Sequence, residues 1–152
     1  MGKIYLMRHS QAAPSDFRTS DEARWLTSQG RSIAREAGNA LRQELGATGL
    51  DTIVTSPLSR TVQTAELVAQ AVDWQGEVHC LSALRSESSP QRAIDELLEL
   101  PGQTILAVTH EPIVSSMCAL FCGENPREIR TGFKPAEIAC IHAGAVRWRW
   151  RA

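Results

Sequence analysis

The sequence predicts an α/β domain in three layers, with helices on both faces of a mostly parallel sheet and an antiparallel edge near the C-terminus. Three observations lead there. Short apolar runs alternate with stretches of helical period along the chain, the signature of repeated βα units. The runs 4–7 and 105–108 are apolar without polar alternation, and Ile53-Val54 stands between threonines, as expected of strands covered on both faces. The 152 residues suit a single domain, 1–152, whose core is large enough to need no staples.

Each element then has its own warrant. The first strand spans about residues 2–8, and a polar loop continues through Asp21. Leu26-Thr27 opens a helix carrying Ile33, Ala37, Leu41 and Leu45 at a spacing of four. Gly46 and Gly49 end it, the residue type expected past a helix C-terminus. A second strand, about 51–55, feeds a helix from Pro57 to about Ala71 with Leu58, Val62, Ala65 and Ala69 inward. A short strand near 77–81 leads to the loop Leu84-Arg85-Ser86-Glu87-Ser88. Ser89-Pro90 caps a short helix with Ile94, Leu97 and Leu98, proline taking the first helical position. Strand 104–109 and helix 112–122 make the next unit. Beyond Pro126 and Pro135, the segments Ile138–His142 and Val146–Trp150 form an antiparallel hairpin, the alternation Val-Arg-Trp-Arg-Trp giving it one wetter face.

Composition narrows the function. A formal charge of −1 gives no global basic field for nucleic acid or membrane binding. No 18-residue apolar stretch is present, and Met1-Gly2-Lys3 leads into a strand and not into a signal peptide, so the expected location is the cytoplasm. Fourteen of the sixteen basic side chains are arginine, which suits bidentate phosphate recognition and equally follows from biased genome composition. The cysteines at 80, 118, 122 and 140 form no CxxC pair. Cys118 and Cys122, four apart on an apolar helix, read as small hydrophobes and not as a metal site.

Chemistry concentrates where three predicted strands end. Arg8-His9 follows the first strand, Arg60 falls in the first turn of the helix after the second, and His110 follows strand 104–109. Residues past strand carboxyl ends of an open α/β sheet converge on one crevice. Two arginines and two histidines there would surround a dianion with donors, as in a phosphate pocket. No P-loop, HExxH, paired-aspartate cluster or glycine fingerprint occurs, so side chains and helix N-termini must balance the phosphate charge, with no metal or cofactor expected. Arg8 and Arg60 can each grip two oxygens. His9, held by the backbone at the strand end, is the better placed histidine for in-line attack through a phosphohistidine intermediate.

The chain resembles the histidine phosphatase superfamily, and most closely its short SixA-type phosphohistidine phosphatases. The resemblance rests on Met7-Arg8-His9, Arg24-Trp25-Leu26-Thr27-Ser28-Gln29-Gly30, Thr55-Ser56-Pro57-Leu58-Ser59-Arg60-Thr61-Val62-Gln63-Thr64 and Val108-Thr109-His110-Glu111-Pro112. It implies a phosphoglycerate mutase-like fold, His9 as the phosphorylated nucleophile, and Arg8, Arg60 and His110 completing the pocket. It also places Arg24 at the rim in contact with substrate. The chain departs from the family pattern at Ser10, where glycine is usual, and at Gln11, where an acidic residue is common. The Ser10 side chain is expected either to obstruct the approach to phosphate or to add a donor.

Members that cleave phosphate esters resemble one another in supplying a carboxylic acid to the leaving group. Glu87 and Asp16 are the candidates here. Phosphohistidine has a weaker P–N bond and can dispense with a strong acid. A minimal chain without a long insertion for a lid leaves an open site that a protein-borne histidine can enter. The expected substrate is therefore a phosphorylated protein, such as a histidine phosphotransfer domain of a bacterial signalling relay. The alternatives are a phosphatase of small phosphate esters and a non-catalytic module that binds a phosphorylated ligand.

Overall fold

Six strands, β1 (Lys3–Arg8), β2 (Thr52–Thr55), β3 (Val78–Cys80), β4 (Thr104–Thr109), β5 (Ile138–His142) and β6 (Ala145–Trp150), form one sheet in the order β3-β2-β4-β1-β5-β6. This computed structural model describes residues 2–16, 18–129 and 131–152. β1 to β4 run parallel, and β5 and β6 form the antiparallel edge.

Side-chain alternation along β1 sorts the core into two faces. Tyr5 and Met7 join Ile53, Leu106, Val108 and Ile138 beneath α1 (Ser28–Leu45) and α2 (Ser59–Ala71). Ile4 and Leu6 join Val54, Ile105, Ala107 and Ile141 beneath α3 (Pro90–Leu98) and α4 (Ile113–Phe121). Three layers result, because strands apolar on both faces need cover on both.

Caps define the helix starts as the sequence indicates. Thr27 accepts from the Gly30 N–H at 2.9 Å, and Ser89 accepts from the Arg92 N–H at 3.3 Å ahead of Pro90. Gly46 closes α1 with φ 56°. Three details differ from expectation. α2 begins at Ser59, and its buried face carries Thr61, Thr64 and Val68 beside Ala65 and Ala69, while Val62 is only half-buried. The threonines are inside because their hydroxyls have backbone partners: Thr61 donates to the Ser56 carbonyl at 2.8 Å and Thr64 to the Arg60 carbonyl at 2.7 Å. Leu98 is exposed, since Ala93, Ile94 and Leu97 already fill the inward stripe of α3. Cys118 and Cys122 are partly buried against the core and Cys140 is buried, but Cys80 is exposed on the edge strand.

The β6 alternation is realised with Trp148 and Trp150 half-buried and Arg147 and Arg149 exposed; Trp148 meets the edge of Tyr5 at 6.2 Å. Fully buried Glu137 is neutralised by Arg149 and by Arg151, whose Nε lies 2.8 Å away. Its backbone carbonyl accepts from the Arg8 N–H at 3.1 Å, and the Ala136 N–H donates to the His9 carbonyl at 3.1 Å. These bonds brace the carboxyl end of β1. No helix among the described residues is long and apolar enough to cross a membrane.

Candidate active site

The register of β1 against β4 sets Arg8 opposite Thr109, so the residues that follow, His9 and His110, emerge side by side. The His9 N–H donates to the Thr109 carbonyl at 2.9 Å. The two imidazoles meet edge to face, with centroids 5.4 Å apart and planes at 61°. β2, on the other side of β4, delivers Ser56 and then Arg60 in the first turn of α2. The structure thus brings Arg8, His9, Arg60 and His110 to one end of the sheet.

His9 is almost wholly buried, and its Nδ1 lies 2.7 Å from the Ser10 carbonyl oxygen. A carbonyl only accepts, so Nδ1 carries the hydrogen and Nε2 presents a lone pair. Burial pushes the ring down to about 4, against the pull of the Ser10 carbonyl and with help from Arg60, Arg8 and Arg24. The Nε2 of His110 is hydrogen-bonded to the Ser56 hydroxyl at 2.8 Å, while its buried Nδ1 has no partner. Burial, then His9 and Arg60, push this ring down to about 3. Both imidazoles are neutral near pH 7 in the free protein.

Three guanidiniums reach the same place. Arg8 Nη1 donates to the Phe133 carbonyl at 2.8 Å. Arg60, buried at the base of α2, donates through Nη1 to the Asp21 carbonyl at 2.7 Å and pairs through Nη2 with the Asp21 carboxylate at 3.2 Å. Arg24 Nη1 donates to the Ala13 carbonyl at 3.3 Å, and its Nε lies 3.1 Å from Asp21 Oδ1 without hydrogen-bonding geometry. The Nε atoms of all three arginines are buried without a hydrogen-bond partner. A buried donor left unmade costs about 1–3 kcal/mol, more for a charged group. With His110 Nδ1, four such nitrogens occur among the described residues, and all belong to this site.

Ser10 is not placed as an obstruction. It is fully buried, and its hydroxyl donates to the Gly30 carbonyl at 2.6 Å while its N–H donates to the Thr64 hydroxyl at 3.0 Å. The side chain ties the turn after β1 to the start of α1. At Gly30 a Cβ would collide with the Gln11 carbonyl, which explains the glycine in Leu-Thr-Ser-Gln-Gly. Gln11 accepts from the Thr27 hydroxyl at 2.9 Å.

Neither acid candidate from the sequence is tied to the four central side chains. Glu87 is exposed and accepts from the Ser86 hydroxyl at 3.1 Å. The carboxylate of Asp16 accepts from the Arg18 and Thr19 N–H groups at 2.7 and 2.9 Å, closing a turn. The carboxylate that does enter the site is Asp21, which bridges Arg60 and Arg24 from the 3-10 turn Asp21–Ala23. Sequence reasoning left it at the end of a polar loop, and only its place three residues before Arg24 hinted at the pairing.

Comparison with known proteins agrees with this fold. The family model of the histidine phosphatase superfamily (branch 1) matches residues 4–87. A comparison with curated proteins finds no match. Among solved structures, the protein histidine phosphatase SixA complexed with tungstate is similar at 25% identity, with TM-score 0.84, covering 97% of this chain and 95% of that one. A SixA described as a putative phosphohistidine phosphatase from Agrobacterium tumefaciens has TM-score 0.87 at 17% identity, covering 99% and 98%. A mycobacterial glucosyl-3-phosphoglycerate phosphatase has TM-score 0.66 at 15% identity, covering 91% and 89%. The latter two show the fold alone. The chain belongs to the histidine phosphatase superfamily, and membership supports a phosphatase.

Proposed function

We propose that this member of the histidine phosphatase superfamily removes phosphate from phosphohistidine on a protein partner, such as a histidine phosphotransfer domain, through a phosphorylated His9. The observation that carries the reading is the set of buried nitrogens without a hydrogen-bond partner on Arg8, Arg24, Arg60 and His110 beside a neutral His9. Nε2 of His9 attacks phosphorus. As its bond to phosphorus forms, the P–N bond to the leaving imidazole breaks, and that imidazole takes a proton from solvent. The guanidiniums balance charge on the phosphoryl oxygens in a preorganised array, and no metal is required of this scheme. His110 donates to the same group once the bound anion favours its protonated form. Water then hydrolyses the phosphorylated His9, releasing phosphate and restoring the ring. Ser10 acts in this scheme by fixing the turn, and Arg24 by holding the rim.

The resemblance to SixA, complexed with tungstate in the solved structure, supports an oxyanion site of this kind. One observation favours small phosphate esters as a second substrate class: a carboxylate, Asp21, does stand at the arginine cluster and is exposed enough to meet a leaving group.

The test presents purified protein, in the presence of a chelator, with a phosphorylated histidine phosphotransfer domain and separately with an aryl phosphate. Turnover of the phosphoprotein, with acid-labile, base-stable phosphate trapped on the protein and absent from His9→Ala, is the expected result. Turnover of the ester alone selects the second class. Oxyanion binding without turnover of either makes the chain a binding module, and steady-state activity in His9→Ala removes the nucleophile assignment.

A further inference from the structure

We infer that Glu111 is a positioning residue for Arg8, acting through the backbone of Phe133; the inference rests on the phosphate pocket proposed above. Glu111 follows His110 directly, yet the proposed chemistry gives it no task. Its carboxylate is nevertheless heavily engaged. Oε1 accepts from the Ser115 N–H at 3.1 Å, and Oε2 accepts from the Ser115 hydroxyl at 2.6 Å and from the Phe133 N–H at 2.8 Å. The carbonyl of that same Phe133 accepts from Arg8 Nη1 at 2.8 Å. One carboxylate therefore caps the start of α4, next to His110, and pins the loop residue that supplies Arg8 with its acceptor.

Two further facts show how closely the loop is held. A Cβ at Gly132 would collide with Glu111 Oε2, so a side chain there would have to displace the carboxylate. The Phe133 ring is buried in the core, which fixes the residue from its other end. Arg8 Nε is buried without a hydrogen-bond partner, while Nη1 of the same guanidinium is anchored to this carbonyl. A guanidinium is planar, so fixing one of its nitrogens orients the others.

Calorimetric titration with tungstate tests the chain of contacts in the whole protein. Wild type should bind, and Glu111→Ala should weaken binding by about tenfold, the scale of one hydrogen bond to a charged group. In an Arg8→Ala background the added cost should fall below about twofold, because contacts acting through one residue are not additive. Ser115→Ala removes a different bond of Glu111 and should lower the melting temperature while leaving tungstate affinity in place. Gly132→Ala pushes the carboxylate off Phe133 and should reproduce the background-dependent loss, which decides the matter if Glu111→Ala does not fold. Equal weakening with and without Arg8, or no weakening in either, overturns the role of Glu111. Wild type that fails to bind tungstate overturns the phosphate pocket itself and Glu111's role with it.

Discussion

Titrating the protein from about pH 8 to about pH 4 puts the state of His9 to a quantitative test. A histidine at its ordinary value of 6.5 keeps only about 3% of its rings neutral at pH 5, whereas one held near 4 keeps roughly 90%. The Cε1–H resonances of His9 and His110, assigned from His9→Gln and His110→Gln, should therefore stay in their neutral positions until well below pH 6. Stability should report the same burial. The unfolded chain takes up these protons near 6.5 and the folded chain only near 4 and 3, so unfolding becomes easier as pH falls through that window. For His9 the loss is roughly 3 kcal/mol, absent above about pH 6.5 and complete below about pH 4. Denaturant unfolding of wild type against His9→Gln isolates this part from carboxylate titration. A site ring that titrates near 6.5, or a pH dependence unchanged in His9→Gln, refutes the account of a desolvated, ready nucleophile.

Arg60→Ala should lower kcat/KM by roughly 10²–10³, the cost of a lost transition-state donor, and Arg24→Ala by less; equal small losses contradict the reading of Arg60 as a contact of the transferring phosphoryl group. Ser10→Ala should lower stability by about 1 kcal/mol through loss of the bond to Gly30 without speeding turnover, and a rise in kcat/KM would restore the obstruction reading. Glu87→Gln should leave kcat unchanged, whereas a general acid would lose roughly 10²–10⁴. Asp21→Ala should cost about tenfold in kcat/KM, as Arg60 keeps only its bond to a backbone carbonyl, and an unaffected variant removes Asp21 from the site.

Much of this site was legible because strand ends announce themselves. Apolar runs that stop abruptly at Arg8-His9 and at His110 mark strand carboxyl ends, and proline and threonine mark helix starts. Asp21 was not legible: an acidic residue in a polar loop looks solvated until the fold sets it against Arg60. Thr61 and Thr64 were not among the inward residues expected of α2 for a related reason, since hydroxyls satisfied by local carbonyls can be buried alongside valine. Glu137 is a charge inside the protein only because Arg149 on β6 and Arg151 just past it come with it. Strand order was likewise invisible, because periodicity says which face a residue takes and nothing about its neighbour.

That order has a consequence for how the protein acquires activity. β4 lies between β1 and β2, so the first two strands to be synthesised never touch one another and must both wait for residues 104–109. The Arg8-His9 pair leaves the ribosome about a hundred residues ahead of the imidazole that will face it, and closing so long a loop is the slow kind of step in folding. A nascent or proteolytically shortened chain that stops before His110 holds every arginine of the pocket and no pocket. Catalytic competence then waits for this strand and for the residues after it that hold Arg8, so an activity measurement counts only molecules in which both have been placed.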